Sequence, residues 1–140
     1  VSSAASDVYK RQALADPQDH VAAMREEYRA KRQIVLDGLA GCPVLRLIEP
    51  QGAFYAFVDV RLTGLDSGEF ADRLLDEEHV AVVPGEAFGE EGRGFVRLSY
   101  AGDAGELREG VARLRAFAER VWNPITGHHT ATYHPMEVLA

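Results

Sequence analysis

The chain has 140 residues, 46% hydrophobic and 26% charged, the balance of one soluble globular domain with a modest core. Its net charge of −7 disfavours nucleic acid and anionic membrane as partners, although a single local arginine suffices to bind a small anion. One cysteine, Cys42, excludes a disulfide scaffold and points to a reducing, cytoplasmic setting, and the longest apolar runs, Phe54 to Val58 and Val80 to Val83, are far too short to span a bilayer.

The first eleven residues lack the apolar core of a secretory signal and the initiator methionine, and are expected to be a non-native leader or scar. Asp16-Pro17-Gln18-Asp19 predicts a helix start: Asp16 as cap, Pro17 at the first helical position, Asp19 near the positive end. Val21, Met24, Tyr28, Val35 and Leu39 then recur on one face, and Gly41 with Pro43 ends the helix. Val44 to Glu49 and Phe54 to Val60 read as two strands joined by Pro50-Gln51-Gly52-Ala53, a hairpin. A short helix follows from Asp66 or Ser67 to Glu77, with Asp66 and Glu69 as a capping box. Val80 to Val83 is expected to be a buried strand, and Pro84 to Gly94 a flexible glycine-rich connector. Phe95 to Tyr100 is the fourth strand. The last helix starts at Asp103 and carries the stripe Leu107, Val111, Leu114, Ala118 and Val121. Residues 123–140 have no periodicity and are expected to be a poorly ordered tail. The simplest solution is an α+β fold over residues 12–122, with helices packed on one face of a small, largely antiparallel sheet.

Arg97 is the leading candidate for a functional residue. Alternation places Phe95, Arg97 and Ser99 on one face of their strand and Val96, Leu98 and Tyr100 on the other. An arginine among apolar neighbours needs water or an anion, and its planar fork matches a carboxylate through two parallel hydrogen bonds. On pattern alone, a solvated arginine on an outer strand is the commoner outcome. The glycine-rich loop is neither a P-loop nor a dinucleotide fingerprint, since no helix follows it and Glu86, Glu90 and Glu91 would repel phosphate. Glu77-Glu78 and Glu90-Glu91 are sequence neighbours whose side chains point apart, so they read as solvated surface. His128, His129 and His134 match no metal-ligand spacing, and no metal site is expected; His20 and His79 are isolated. The two lysines, Lys10 and Lys31, lie in the leader and on a charged helix, neither in a buried setting suited to covalent amine chemistry.

Taken in order, four segments resemble class I aminotransferases, within the fold-type I enzymes that use pyridoxal phosphate (PLP). Met24 to Arg32 resembles the long helix opening that family's C-terminal small domain, and Pro50-Gln51-Gly52-Ala53-Phe54-Tyr55-Ala56-Phe57 its hairpin motif. Val80 to Gly89 resembles its next strand and loop, and Val96-Arg97-Leu98-Ser99-Tyr100-Ala101 its carboxylate-binding strand. The resemblance implies that Arg97 binds the α-carboxylate of an amino acid or 2-oxo acid substrate. It implies that PLP, its lysine and its other binding residues belong to a large domain outside this chain, leaving no catalytic or cofactor-binding residue here and a fragment inactive alone. A homodimer is implied for the complete enzyme. A PLP lyase or decarboxylase of the same fold, the aminotransferase-like effector region of a transcription regulator, and an unrelated small ligand-binding module are the alternatives.

Overall fold

The computed structural model describes residues 3–15 and 18–122. Four helices and four strands follow one another in it: α1 (Ser3–Ala15), α2 (Asp19–Leu39), β1 (Arg46–Ile48), β2 (Tyr55–Asp59), α3 (Ser67–Glu78), β3 (Val83–Pro84), β4 (Phe95–Ser99) and α4 (Ala104–Val121). The strands form one antiparallel sheet in the order β1-β2-β4-β3. The α+β architecture read from the sequence is the one observed.

Alternation dictates the two faces of the sheet. Ala56 and Val58 of β2 and Val96 and Leu98 of β4 are buried against the helices, together with Val35 and Leu39 of α2, Phe70 and Leu74 of α3, and Leu114 and Phe117 of α4. Burying each large apolar side chain contributes about 1.5–3 kcal/mol. The Phe70 and Phe117 rings meet edge to face at 5.1 Å and lock α3 onto α4. The α2–α4 crossing is close enough that a Cβ on Gly38 would sit 2.4 Å from Val111 Cγ1. Arg115 Nη1 accompanies that crossing, donating to Ala40 O at 2.9 Å and to Gly38 O at 3.3 Å, carbonyls that the end of α2 leaves unsatisfied.

The helix starts follow their caps. Asp66 accepts the Glu69 N–H at 2.8 Å, and Asp103 accepts those of Gly105 and Glu106 at 2.7 and 3.1 Å. These N–H groups of Glu106 and Gly105 hold the Asp103 carboxyl below its ordinary pKa. The expected cap of α2 at Asp16 and Pro17 lies outside the described residues, as does the tail over 123–140; described α2 starts at Asp19 behind Gln18, which makes no side-chain cap.

Three expectations are corrected. The strand expected over Val80 to Val83 shrinks to Val83–Pro84. His79 closes α3 in the left-handed conformation (φ 57°), Val80 turns into the core, and pairing begins only at Val83 opposite Arg97. It ends at once because Pro84 has no N–H to extend the ladder. Second, α2 does not bury its whole apolar stripe: Val21 and Met24 are exposed at 41% and 48%, because only the C-terminal part of α2 lies over α4 and β1. Third, Lys31 is not on the charged surface. It is 8% exposed, with its ammonium paired to Glu27 and lying 5.5 Å from the centre of the Tyr28 ring. The first eleven residues, expected to be a leader, contribute most of α1, whose described side chains are all exposed.

Candidate functional site

The face of the sheet turned away from the helices carries aromatic rings and two arginines. Tyr55 and Phe57 come from β2, and Phe95 and Arg97 from β4, in a register that sets Phe57 opposite Arg97 and Tyr55 opposite Ser99. Tyr55 therefore lies one diagonal step from Arg97, within reach of a long side chain. The Arg97 guanidinium carbon is 4.1 Å from the centre of the Tyr55 ring and 4.0 Å from that of Phe88, so the cation lies over both rings. Each such contact is worth about 0.5–2 kcal/mol, according to how far it is shielded from water.

The second arginine shows what this face does with a cation that has an internal partner. Arg61 stacks 5.1 Å from Phe95 and grips Asp59 with a two-point fork, Nε to Oδ1 at 2.9 Å and Nη2 to Oδ2 at 2.6 Å. No carboxylate among the described residues pairs with Arg97. The half-buried Arg97 is thus positioned by rings while the donor edge of its fork meets no acid of the described chain.

The supports of the two rings differ. Tyr55 follows a hairpin tied down at both sides. Arg32 Nε donates to Pro50 O at 2.8 Å and its Nη2 to Glu49 at 2.6 Å, while the Tyr100 hydroxyl donates to Ala53 O at 3.0 Å. Ala53 itself has φ 58°, a left-handed conformation uncommon for a residue with a Cβ. Burial pushes the Tyr100 phenol up, although the Arg32 charge opposes this. Phe88 comes from the glycine-rich loop, two short 3-10 turns at Gly85–Phe88 and Glu90–Gly92. Its ring meets Phe57 edge-on at 6.0 Å. Glu86 anchors the loop by accepting from the Ser67 hydroxyl at 2.5 Å and the Gly94 N–H at 3.4 Å. The Ser67 hydroxyl, and then backbone N–H groups, hold the Glu86 carboxyl below its ordinary pKa. An apolar hollow of about 310 Å³ lies beside Arg97's rings, between Phe57, Phe88 and Phe95.

The other candidates separate from this face. Glu77 and Glu78 are both held by Arg120, at 2.7 and 2.6 Å, in a surface network joining α3 to α4, and Glu90 pairs with Arg93 at 2.7 Å. His20 and His79 are exposed, and His128, His129 and His134 lie outside the described residues. No cluster of metal-ligating side chains occurs among the described residues. No described helix is long and apolar enough to cross a membrane. Lys31 lies on α2, on the helical side of the sheet from Arg97, and Lys10 is exposed on α1. The sequence reading assigned no role to Tyr55 or Phe88. A glycine-rich loop with one aromatic residue reads as a connector until its fold shows where the ring lands.

The fold is a small α+β unit whose outer sheet face carries an arginine flanked by rings and paired with no acid among the described residues. The profile of the family described as "Aminotransferase class I and II" matches residues 1–114, a span that takes in the segment before Gln12, and the chain belongs to that family. It is 45% identical over 102 residues to the arginine–pyruvate transaminase AruH of Pseudomonas aeruginosa, covering 73% of this chain and 26% of that protein. It is 40% identical over 99 residues to an aspartate aminotransferase of Pyrococcus horikoshii, covering 71% of this chain and 25% of that protein. Among solved structures, the aromatic aminotransferase of Pyrococcus horikoshii OT3 superposes with a TM-score of 0.73 at 40% identity, over 78% of this chain and 29% of that one. The chain therefore spans about a quarter of the length of the curated relatives it matches.

Proposed function

We propose that residues 12–122 are the substrate-carboxylate-binding domain of an enzyme that transfers an amino group between an amino acid and a 2-oxo acid, with Arg97 as the carboxylate contact. One observation carries this: of two ring-stacked arginines on one face, Arg61 is satisfied by Asp59, whereas Arg97 offers its donor edge to no described acid. A planar fork in that position suits two parallel hydrogen bonds from its nitrogens to a carboxylate. Holding that group fixes how the rest of an amino acid is oriented.

Pyridoxal phosphate, the cofactor general to this family, would supply the electron sink for the reaction. The residues here do not fit it. Its lysine bond needs an amine on the substrate side, and Lys31 is paired with Glu27 on the helical side while Lys10 lies on α1. In this proposal the rest of the enzyme holds the cofactor, the chain alone is inactive, and the enzyme works as a cytoplasmic homodimer.

The test compares substrates with and without a carboxylate in the complete enzyme. Arg97→Ala lowers kcat/KM for amino acids by about 100-fold, the loss of a two-point charged contact, and leaves amines lacking a carboxylate nearly unchanged. Equal losses for both substrate classes would refute the role.

A further inference from the structure

We infer that Phe88 is a positioning residue for Arg97, and that the Gly85–Gly94 loop serves as its mount. This rests on the reading of Arg97 as the carboxylate contact. A guanidinium is planar and its N–H donors lie in that plane. Rings at 4.1 and 4.0 Å occupy its neighbourhood on the Tyr55 and Phe88 sides, so a carboxylate must approach along the donor edge. That is the approach that makes two hydrogen bonds at once.

The two rings arrive for different reasons. Tyr55 is placed by the strand register, and its position follows from the sheet alone. Phe88 has no such reason to be there. It is 49% exposed and outside the buried core, and its described ring contacts are Arg97 and the edge of Phe57. An aromatic ring left half in water adds little to the stability of the fold, yet its loop is fixed tightly. Fully buried Ser67 donates to Glu86, and Glu86 also takes the Gly94 N–H. Gly85 and Gly92 lie so close that a Cβ on Gly85 would meet Gly92 O at 2.1 Å. Both ends of the loop are pinned, and its crest holds one ring against one cation. Without that ring one side of the fork opens to solvent, and Arg97 can leave the stacked rotamer.

The experiment uses the complete enzyme loaded with its cofactor. Phe88→Met keeps apolar bulk and removes the ring; Phe88→Tyr keeps the ring. For an amino acid, F88M raises KM about fivefold with kcat changed less than twofold, as one cation–π contact implies. F88Y recovers most of that loss, and an amine without a carboxylate is unaffected by either. Independently, the Arg97 Nε–Hε resonance of wild type is displaced by ring currents, and F88M weakens its titration by pyruvate by the same factor. An unchanged KM in F88M, or equal losses for amine and amino acid, overturns the inference. If F88M does not fold, an undisplaced Arg97 resonance in wild type overturns it alone. A selective R97A with an unselective F88M sinks only this inference, whereas an unselective R97A sinks the reading beneath it.

Discussion

The two faces of one sheet have opposite designs. The helix-facing side chains Ala56, Val58, Val96 and Leu98 are all buried, and α2, α3 and α4 complete them with apolar partners. The outer side chains Tyr55, Phe57, Phe95 and Arg97 are only half-buried, and the described residues leave Arg97 without an acid. The two sets alternate residue by residue along the same strands, so pleat alone separates them. The lesson is a division of labour: one face is closed by the chain's own apolar surface, the other ends in a charge.

That division predicts which property each substitution moves. The largest effect is on the closed face. Phe117→Ala removes a fully buried ring and its edge contact with Phe70, and costs about 3–5 kcal/mol in urea unfolding, with carboxylate selectivity unchanged in the molecules that fold. Arg97→Ala reverses the pattern: its hundredfold effect on amino-acid kcat/KM comes with a stability loss of about 1–2 kcal/mol, that of two half-exposed ring contacts. If R97A instead unfolds the protein, the outer face is structural and the comparison fails. Gly85→Ala lies between them. Its Cβ must displace the backbone of Gly92, so the loop moves, and amino-acid KM rises while the urea midpoint falls modestly.

The smallest effect probes the rim of the helical side by pH. Asp103 holds its carboxyl below its ordinary value through the N–H groups of Glu106 and Gly105. The folded state therefore binds that proton more weakly than the unfolded chain does. Its contribution is complete above the unfolded value of about 4 and fades as pH falls through the lower folded value. The urea midpoints of wild type and Asp103→Asn should converge on acidification below about pH 4. A gap that widens instead contradicts the cap.

Much of the closed face was legible in the sequence because it follows from period. The alternation Val96-Arg97-Leu98, the stripe on α4 and the aspartate caps each depend on residues a few positions apart. The alternation also put Arg97 on its correct face, while its stacking partners stayed hidden. Tyr55 is set by a pairing between strands forty residues apart, and Phe88 by a loop whose path depends on Ser67 in another helix. Lys31 was misread for a related reason: the burial of a helix position depends on what the chain lays across it, and only the end of α2 is covered. The strand at Val80 failed because apolar, β-branched composition describes a buried segment whether or not it pairs.

One edge of the sheet has a further consequence. The strand at that margin is two residues long and ends in Pro84. A proline there offers no donor to an incoming strand, and so short a ladder gives a neighbouring molecule little to copy. Whoever lengthens or replaces this stretch, for instance to graft a different loop ahead of Gly85, removes a safeguard against intermolecular strand addition. Aggregation during expression would then report on the loss of Pro84 rather than on a damaged core.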